Sequence, residues 1–411
     1  ADGSYYEVDD YWFLDSQEPG WYWGNGGFSE DGGRSFSQLM PAYYVDNGVH
    51  PDHHAWWIHP TDGQFMIDGN DGGMNITRDG GRTWRFIGNL PVGQFYHVSV
   101  DNEYPYNVYG GMQDNGSWRG PAYVWRAQGI RNSYWQEIAF GDGFDVVPDP
   151  DDSRYGYAMS QQGFVRRYDW KTGNDYTVRP TPPDDTTRLR FNWNAAIGQD
   201  PFENQSVYFG SQFVHKSSDK GLTWEVISAD LTTNDPEKQK QGDSGGLTMD
   251  ATGAENHCTI LVIEPSPVEK DMLWVGTDDG RVHYSQDGGQ TWTEVTGNIK
   301  GLPKGSWIPQ IRASTRNKGE ALLVANDHIY TILSKELMCL LSDVCGHVMS
   351  VGDLLHLSSP APIARRHGDS DYGVNGPSAL TPSVISVTTC AHLVPSLAET
   401  QLICTLSGST P

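Results

Sequence analysis

Six short segments are unusually rich in groups that could do chemistry. They read HPDHHA (50–55), GQFYHV (93–98), GDGFDV (141–146), LRFNWN (189–194), GAENHC (253–258) and GSWIPQ (305–310). If these segments face one cavity, His53, His54, His97, Asp142, Asp145, Arg190, Asn192, Glu255 and His257 converge there. Polar anchors with aromatic walls make a ligand cavity. Glycoside hydrolysis needs two carboxyl groups, about 5–5.5 Å apart for retention or about 6.5–9.5 Å for inversion. Asp142 or Asp145 with Glu255 is the pair to consider as catalytic. Binding without turnover needs only His53, His54, His97, Arg190, Asn192, Trp193, His257 and Trp307. The histidines could also ligate a metal with Asp142, but neither an i, i+4 helical pair nor a CxxC spacing supports it. No metal or other cofactor is expected. No glycine-rich phosphate loop, nucleophile elbow or HExxH appears.

What would bring such segments together is a repeat. The octapeptide [ST]-x-D-x-G-x-[ST]-[WF] occurs four times, as SEDGGRSF (29–36), TRDGGRTW (77–84), SSDKGLTW (217–224) and SQDGGQTW (285–292). Each reads as a self-tied hairpin turn. Asp31, Asp79, Asp219 or Asp287 can accept backbone N–H bonds, and glycine supplies a positive φ. The closing Trp84, Trp224 or Trp292 plugs the gap beside its sheet. Around each turn lies a longer frame of strand, acidic or proline turn, strand, glycines, strand. Residues 96–138 and 143–178 keep the frame without the octapeptide. The frame starts near 54, 97, 144, 192, 257 and 308, roughly 45 residues apart except across a polar insertion at 229–256. Four short strands at this period make a propeller blade. The expected fold is all-β, a β-propeller with four-stranded blades, six present and a seventh begun. Innermost strands ring the axis, so the six polar beginnings point at a common channel.

Composition agrees. There are 47 glycines and 15 tryptophans, and the net charge of −24 excludes a nucleic-acid partner. No run of 18 apolar residues exists, so no membrane insertion is expected. After Asn326 the character changes: residues 327–411 hold no Trp or Phe and four of the five cysteines. The chain therefore divides into a propeller (1–326), incomplete at one or both ends, and a low-order, non-propeller C-terminal tail (327–411) of frame-slipped or unrelated sequence.

The octapeptides resemble those of Asp-box (BNR) proteins, which include sialidases, xyloglucan-degrading propeller enzymes and the sortilin luminal propeller. HPDHHA, GQFYHV, GGMQDNGSWRGP (110–121), GSQFVHKSSDKGLTW (210–224), GAENHCT and GSWIPQI are similar to a narrower bacterial group described as glycosyl hydrolase or sortilin N-terminal-like. The resemblance covers about residues 20–326. It implies an exported protein, extracellular or periplasmic, that acts on or binds a carbohydrate. The alternative is a non-catalytic, sortilin-like propeller holding a protein or peptide ligand. Both stay open, because one fold hosts enzymes and pure binders.

Overall fold

The computed structural model describes residues 48–90, 92–240 and 256–326, the short runs 4–5, 27–29, 34–35 and 37–39, and one strand at 336–342. These residues build seven antiparallel sheets in chain order. Blade 1 has three short strands, β1 (Ser4–Tyr5), β2 (Gly27–Ser29) and β3 (Ser37–Gln38). Blade 2 comprises β4 (His53–His59), β5 (Asp62–Asn70), β6 (Gly73–Thr77) and β7 (Arg85–Phe86). Blade 3 comprises β8 (Val98–Val100), β9 (Asn107–Met112), β10 (Gly116–Pro121) and β11 (Gln136–Ala139). Blade 4 follows with β12 (Val146–Pro148), β13 (Tyr155–Ser160), β14 (Phe164–Asp169) and β15 (Asn174–Thr177). Blade 5 is β16 (Ile197–Gln199), β17 (Val207–Gly210), β18 (Val214–Ser217) and β19 (Glu225–Val226). Blade 6 is β20 (Ile260–Pro265), β21 (Leu273–Thr277), β22 (Val282–Ser285) and β23 (Thr293–Glu294). Blade 7 has β24 (Trp307–Ala313), β25 (Glu320–Asn326) and β26 (Glu336–Ser342).

Every four-stranded sheet is a simple up-and-down meander, and consecutive sheets meet through their first strands: β8 with β12, β16 with β20, β20 with β24. The apolar cores lie between blades. Phe144, Tyr157 and Met159 of blade 4 interleave with Phe191, Val207 and Phe209 of blade 5. Trp274 and Val282 of blade 6 do the same with Ile308, Ile311 and Leu323 of blade 7. First strands innermost and cores between consecutive meanders define a β-propeller. β26, which falls in the segment expected as a non-propeller tail, pairs with β25 as the third strand of blade 7. Apart from β26, the expected tail lies outside the described residues.

The octapeptide turns hold as hydrogen-bonded knots. Asp79 Oδ1 accepts from Thr77 Oγ1 (2.8 Å) and from the Thr83 amide (2.9 Å), while Oδ2 accepts from Thr83 Oγ1 (2.6 Å). Thr77 Oγ1 in turn accepts from the amide of Gly81, whose φ is +88°. Asp219 and Asp287 repeat these bonds. Chiefly through the threonine hydroxyl bond, the carboxyls of Asp79 and Asp287 are held down to about 2. The closing tryptophans reach backwards: Trp224 Nε1 donates to Val178 O beside blade 4 (2.7 Å), and Trp292 Nε1 to Ile227 O at the end of blade 5 (2.9 Å). These two knots therefore also fasten blades 5 and 6 to the blades before them. Asp31 lies outside the described residues.

A second repeated device was not singled out in the sequence. In the turn after the first strand, Asp101, Asp149 and Asp200 are buried and accept from Tyr109 Oη, Arg167 Nη2 and Tyr208 Oη respectively. Lys220, inside the blade 5 octapeptide, reaches Asp149 of blade 4 at 2.8 Å.

Blades 3 and 4 approach closest at glycines. A Cβ on Gly111 would sit 2.2 Å from Gly143 C and Phe144 N, where no side chain fits. Because backbone rather than a flexible side chain blocks it, Gly111→Ala is expected to destabilise the protein by about 2 kcal/mol or more. A urea denaturation curve checks this; a midpoint equal to the parent's would refute the close approach.

Candidate functional site

In each meander the start of the first strand and the turn between the second and third strands lie at the same end. That end carries the polar segments picked out above and forms the mouth of the axis. One quadrant of the mouth is acidic. Asp52 precedes β4, Asp71 sits in the turn between β5 and β6, and Asp114 in the turn between β9 and β10. One carboxylate oxygen from each lies within 4.8 Å of the others. The Asp114 amide donates to Asp142 Oδ1 at 3.0 Å, and the Asp142 amide donates to Gln161 Oε1 at 3.1 Å. Asn115 Nδ2 donates to the Asp71 carbonyl at 2.8 Å, tying blade 3 to blade 2. His54 Nε2 lies 2.5 Å from Asp71 Oδ1. Beside this group Tyr96 donates its hydroxyl to Gln113 Oε1 (2.5 Å), and its ring rests on Phe144, centroids 4.6 Å apart.

Crowding changes the acidity of these carboxyls. Burial raises Asp142 to about 6, and the neighbouring Asp114 carboxylate adds to the rise. Burial also raises Asp114, reinforced by a hydrogen bond with Asp71. A proton is thus retained between Asp114 and Asp142 well above the ordinary carboxylate range. The quadrant can donate as well as accept hydrogen bonds, and the Asp52–Asp71–Asp114 oxygens are spaced for a hard cation.

Further along the axis, His97 Nδ1 lies 2.8 Å from Asp145 Oδ1. The Asp145 charge raises the His97 pKa, against burial and against the positive charge of Arg312. Arg312 stands on β24 of blade 7, beside Glu264 of blade 6 at 3.4 Å.

The remaining expected residues divide. Arg190 is a brace: Nη2 bonds Asp230 Oδ2 (2.7 Å), and Nε bonds the Cys258 carbonyl (3.1 Å). Asn192 and His257 are buried against Asp278, whose Oδ2 lies 3.4 Å from Asn192 Nδ2 and 4.0 Å from His257 Nδ1. Burial raises Asp278 well above the carboxylate range. His53 turns inward, its Nδ1 on Asp68 Oδ1 at 2.9 Å and its ring 5.8 Å from Trp56. Trp193 packs half-buried against the core between blades 4 and 5. Trp307 opens β24 and is half-buried. The strand expected to start near 192 starts instead at Ile197, because Phe191 plugs the core and Asn192 bonds across to blade 6. Glu255 lies outside the described residues, and with it the expected carboxylate pair. The structure brings together Asp142 and His54 at the acidic quadrant, and His97 and Asp145 on the axis. Asp52, Asp71 and Asp114 were missed. The signal for Asp71 and Asp114 was the recurring acidic turn in NDGG (70–73), MQDNG (112–116) and TDDG (277–280), while Asp52 sits inside HPDHHA (50–55).

No protein-family model matches the chain, and no curated protein matches it in sequence. Among solved structures, the chain is similar to a GH74 xyloglucanase from Xanthomonas campestris. The identity is 16% and the TM-score 0.43, over 69% of this chain and 40% of that one. An ancestral GH74 enzyme matches at 14% identity and a TM-score of 0.43, over 75% and 38% of the two chains. A computationally designed protein, Ika8, matches at 11% and 0.34, over 74% of each. The chain thus spans about two fifths of the two GH74 structures it matches. Likenesses of this strength carry no argument about the site. The propeller rests on strand order and on the cores between blades.

Proposed function

We propose that the protein is an exported, glycoside-hydrolase-like propeller that binds a carbohydrate at the mouth of its axis. One observation carries the reading: Asp71, Asp114 and Asp142 come from three blades to one mouth, where Tyr96 is bound to Gln113 beside Asp114 and the Asp142 carboxyl is raised to about 6. A sugar presents hydroxyls that both give and take hydrogen bonds, and a flat apolar face that stacks on an aromatic ring. Mixed carboxyl and carboxylate groups beside a tyrosine match both features.

Binding is favoured over hydrolysis by the state of the carboxylates. Asp142 Oδ1 is taken up by the Asp114 backbone amide at 3.0 Å, and the Asp142 amide is tied to Gln161. Asp145 is held by His97, and Asp230 by Arg190. Hydrolysis keeps one specific support, the rise of Asp142 to about 6, which suits a general acid. A panel of soluble polysaccharides, assayed by affinity electrophoresis and for released reducing ends, separates the readings. The expected result is retardation by at least one neutral polymer without new reducing ends, weakened about tenfold or more in Tyr96→Ala and Asp114→Asn. Retardation by none, or equal retardation of parent and variants, would overturn the proposal. Reducing ends lost in Asp142→Asn would establish the hydrolytic reading instead.

A further inference from the structure

Blade 3 lacks the octapeptide knot. Between β10 and β11 the chain instead runs through residues 122–135, and this loop leaves Tyr123, Trp125 and Ile130 exposed, Trp125 at 82%. Tyr123 and Trp125 meet edge to face, centroids 4.9 Å apart. The turn between β8 and β9 lies at the same end of the blade and adds Tyr104, 97% exposed, and Tyr106. The Ala122 amide donates to the Tyr106 carbonyl at 3.0 Å, so the two loops form one surface. The base of the longer loop is anchored: Trp135 stacks on Phe95, and Asn132 Nδ2 donates to the Gly88 carbonyl of blade 2. Its aromatic tip is therefore presented outward on a fixed support. Contiguous exposed apolar surface of this kind marks an interaction site.

Charge narrows the occupant. From Arg119 to Gln136 the sequence holds no acidic residue, in a chain whose net charge is −24. Arg126 and Arg131 are exposed and form no ion pair with any described residue, while Arg119 is spent over the Trp170 ring, 4.0 Å away. In the facing turn, Asp101 is buried and Glu103 accepts from Ser153 Oγ at 3.1 Å. Flat aromatic faces beside two unpaired guanidinium forks fit a polymer that alternates apolar ring faces with carboxylates. We propose that this surface binds an acidic, uronate-containing polysaccharide. Pyranose faces stack on Trp125, Tyr123 and Tyr104, and carboxylates lie on Arg126 and Arg131. Elsewhere the molecule is predominantly acidic and repels such a polymer, which confines it to this patch. Two basic patches likewise disfavour symmetric pairing of two copies through this face.

The surface lies at the opposite end of blade 3 from Asp114, separated by the length of β10, six residues or roughly 20 Å. It shares a ligand class with the function proposed above but none of its residues. The test is affinity electrophoresis of the full chain in polygalacturonate, at low and raised ionic strength. The parent is expected to be retarded, less so as salt rises. Trp125→Ala is expected to weaken binding about tenfold or more, and the pair Arg126→Gln, Arg131→Gln to weaken it and flatten the salt dependence. Tyr96→Ala and Asp142→Asn, at the mouth, are expected to bind polygalacturonate as the parent does. No retardation of the parent, or equal retardation of Trp125→Ala, overturns the inference. Loss in the mouth variants but not in Trp125→Ala also overturns it, and leaves the carbohydrate reading of the mouth intact. Sedimentation showing that the parent is a dimer dissolved by Trp125→Ala would assign the patch to self-association and overturn it as well.

Discussion

Replacing Trp84 with alanine is expected to lower the unfolding free energy by about 3–5 kcal/mol. Trp84 closes an octapeptide knot and is only 6% exposed. Its ring meets Trp56 edge to face at 5.8 Å and packs with Met66, Val49 and Leu39. Burying a tryptophan removes roughly 200 Å² from water, an upper bound of about 5 kcal/mol at 25 cal/mol/Å². Collapse around the vacancy is limited, because the knot beneath it is rigid. Gly81 stands so close to Leu39 that a Cβ there would come within 2.5 Å of it. Chemical denaturation monitored by circular dichroism gives the difference directly. A loss below about 1 kcal/mol would mean that the tryptophan does not seal the gap beside its blade.

Asp142→Asn is expected to do the reverse and stabilise the protein at neutral pH. The Asp142 carboxyl is raised from 3.8 to about 6, first by burial and then by Asp114. A raised acid binds more protons folded than unfolded, so its contribution is fully present below about pH 4 and is lost as pH rises through about 6. The residue is 8% exposed, and a shift of this size corresponds to the order of 2–3 kcal/mol. Asparagine keeps an oxygen to accept from the Asp114 amide and carries no charge to repel the Asp114 carboxylate. The variant should equal the parent below pH 4 and exceed it by that margin at pH 8. Stability curves measured at a series of pH values decide it; a variant less stable than the parent at pH 8 would contradict the assignment.

Much of the fold could be read in the sequence because its turns are chemically explicit. Asp79, Asp219 and Asp287 each need a hydroxyl two residues before and another four residues after, and that requirement is visible as a motif. Blades 3 and 4 lack the octapeptide and were found by their frame of strands and acidic turns. The site was less legible, because a polar residue at a strand start can face either of two ways. His53 and His54 are adjacent, yet His53 turns to Asp68 in the core while His54 meets Asp71 at the mouth. Arg190 and Asn192 looked like ligand anchors and instead join blades 5 and 6. Which partner each polar group finds depends on residues 15 to 86 positions away, and no local pattern encodes that. Asp114 was hidden for the same reason, since its importance comes from Asp52, Asp71 and Asp142, none of them its neighbour in sequence.

The account depends on strand beginnings and turns of successive blades pressing their carboxyls together at one mouth. A ¹³C-carboxyl NMR titration of the aspartates, in the parent and in Asp114→Asn, tests that most directly. Asp142 should titrate near pH 6 in the parent and fall, without reaching the ordinary aspartate range, once the Asp114 charge is gone. A midpoint near 3.8 that ignores the substitution would separate the two carboxyls and remove the site.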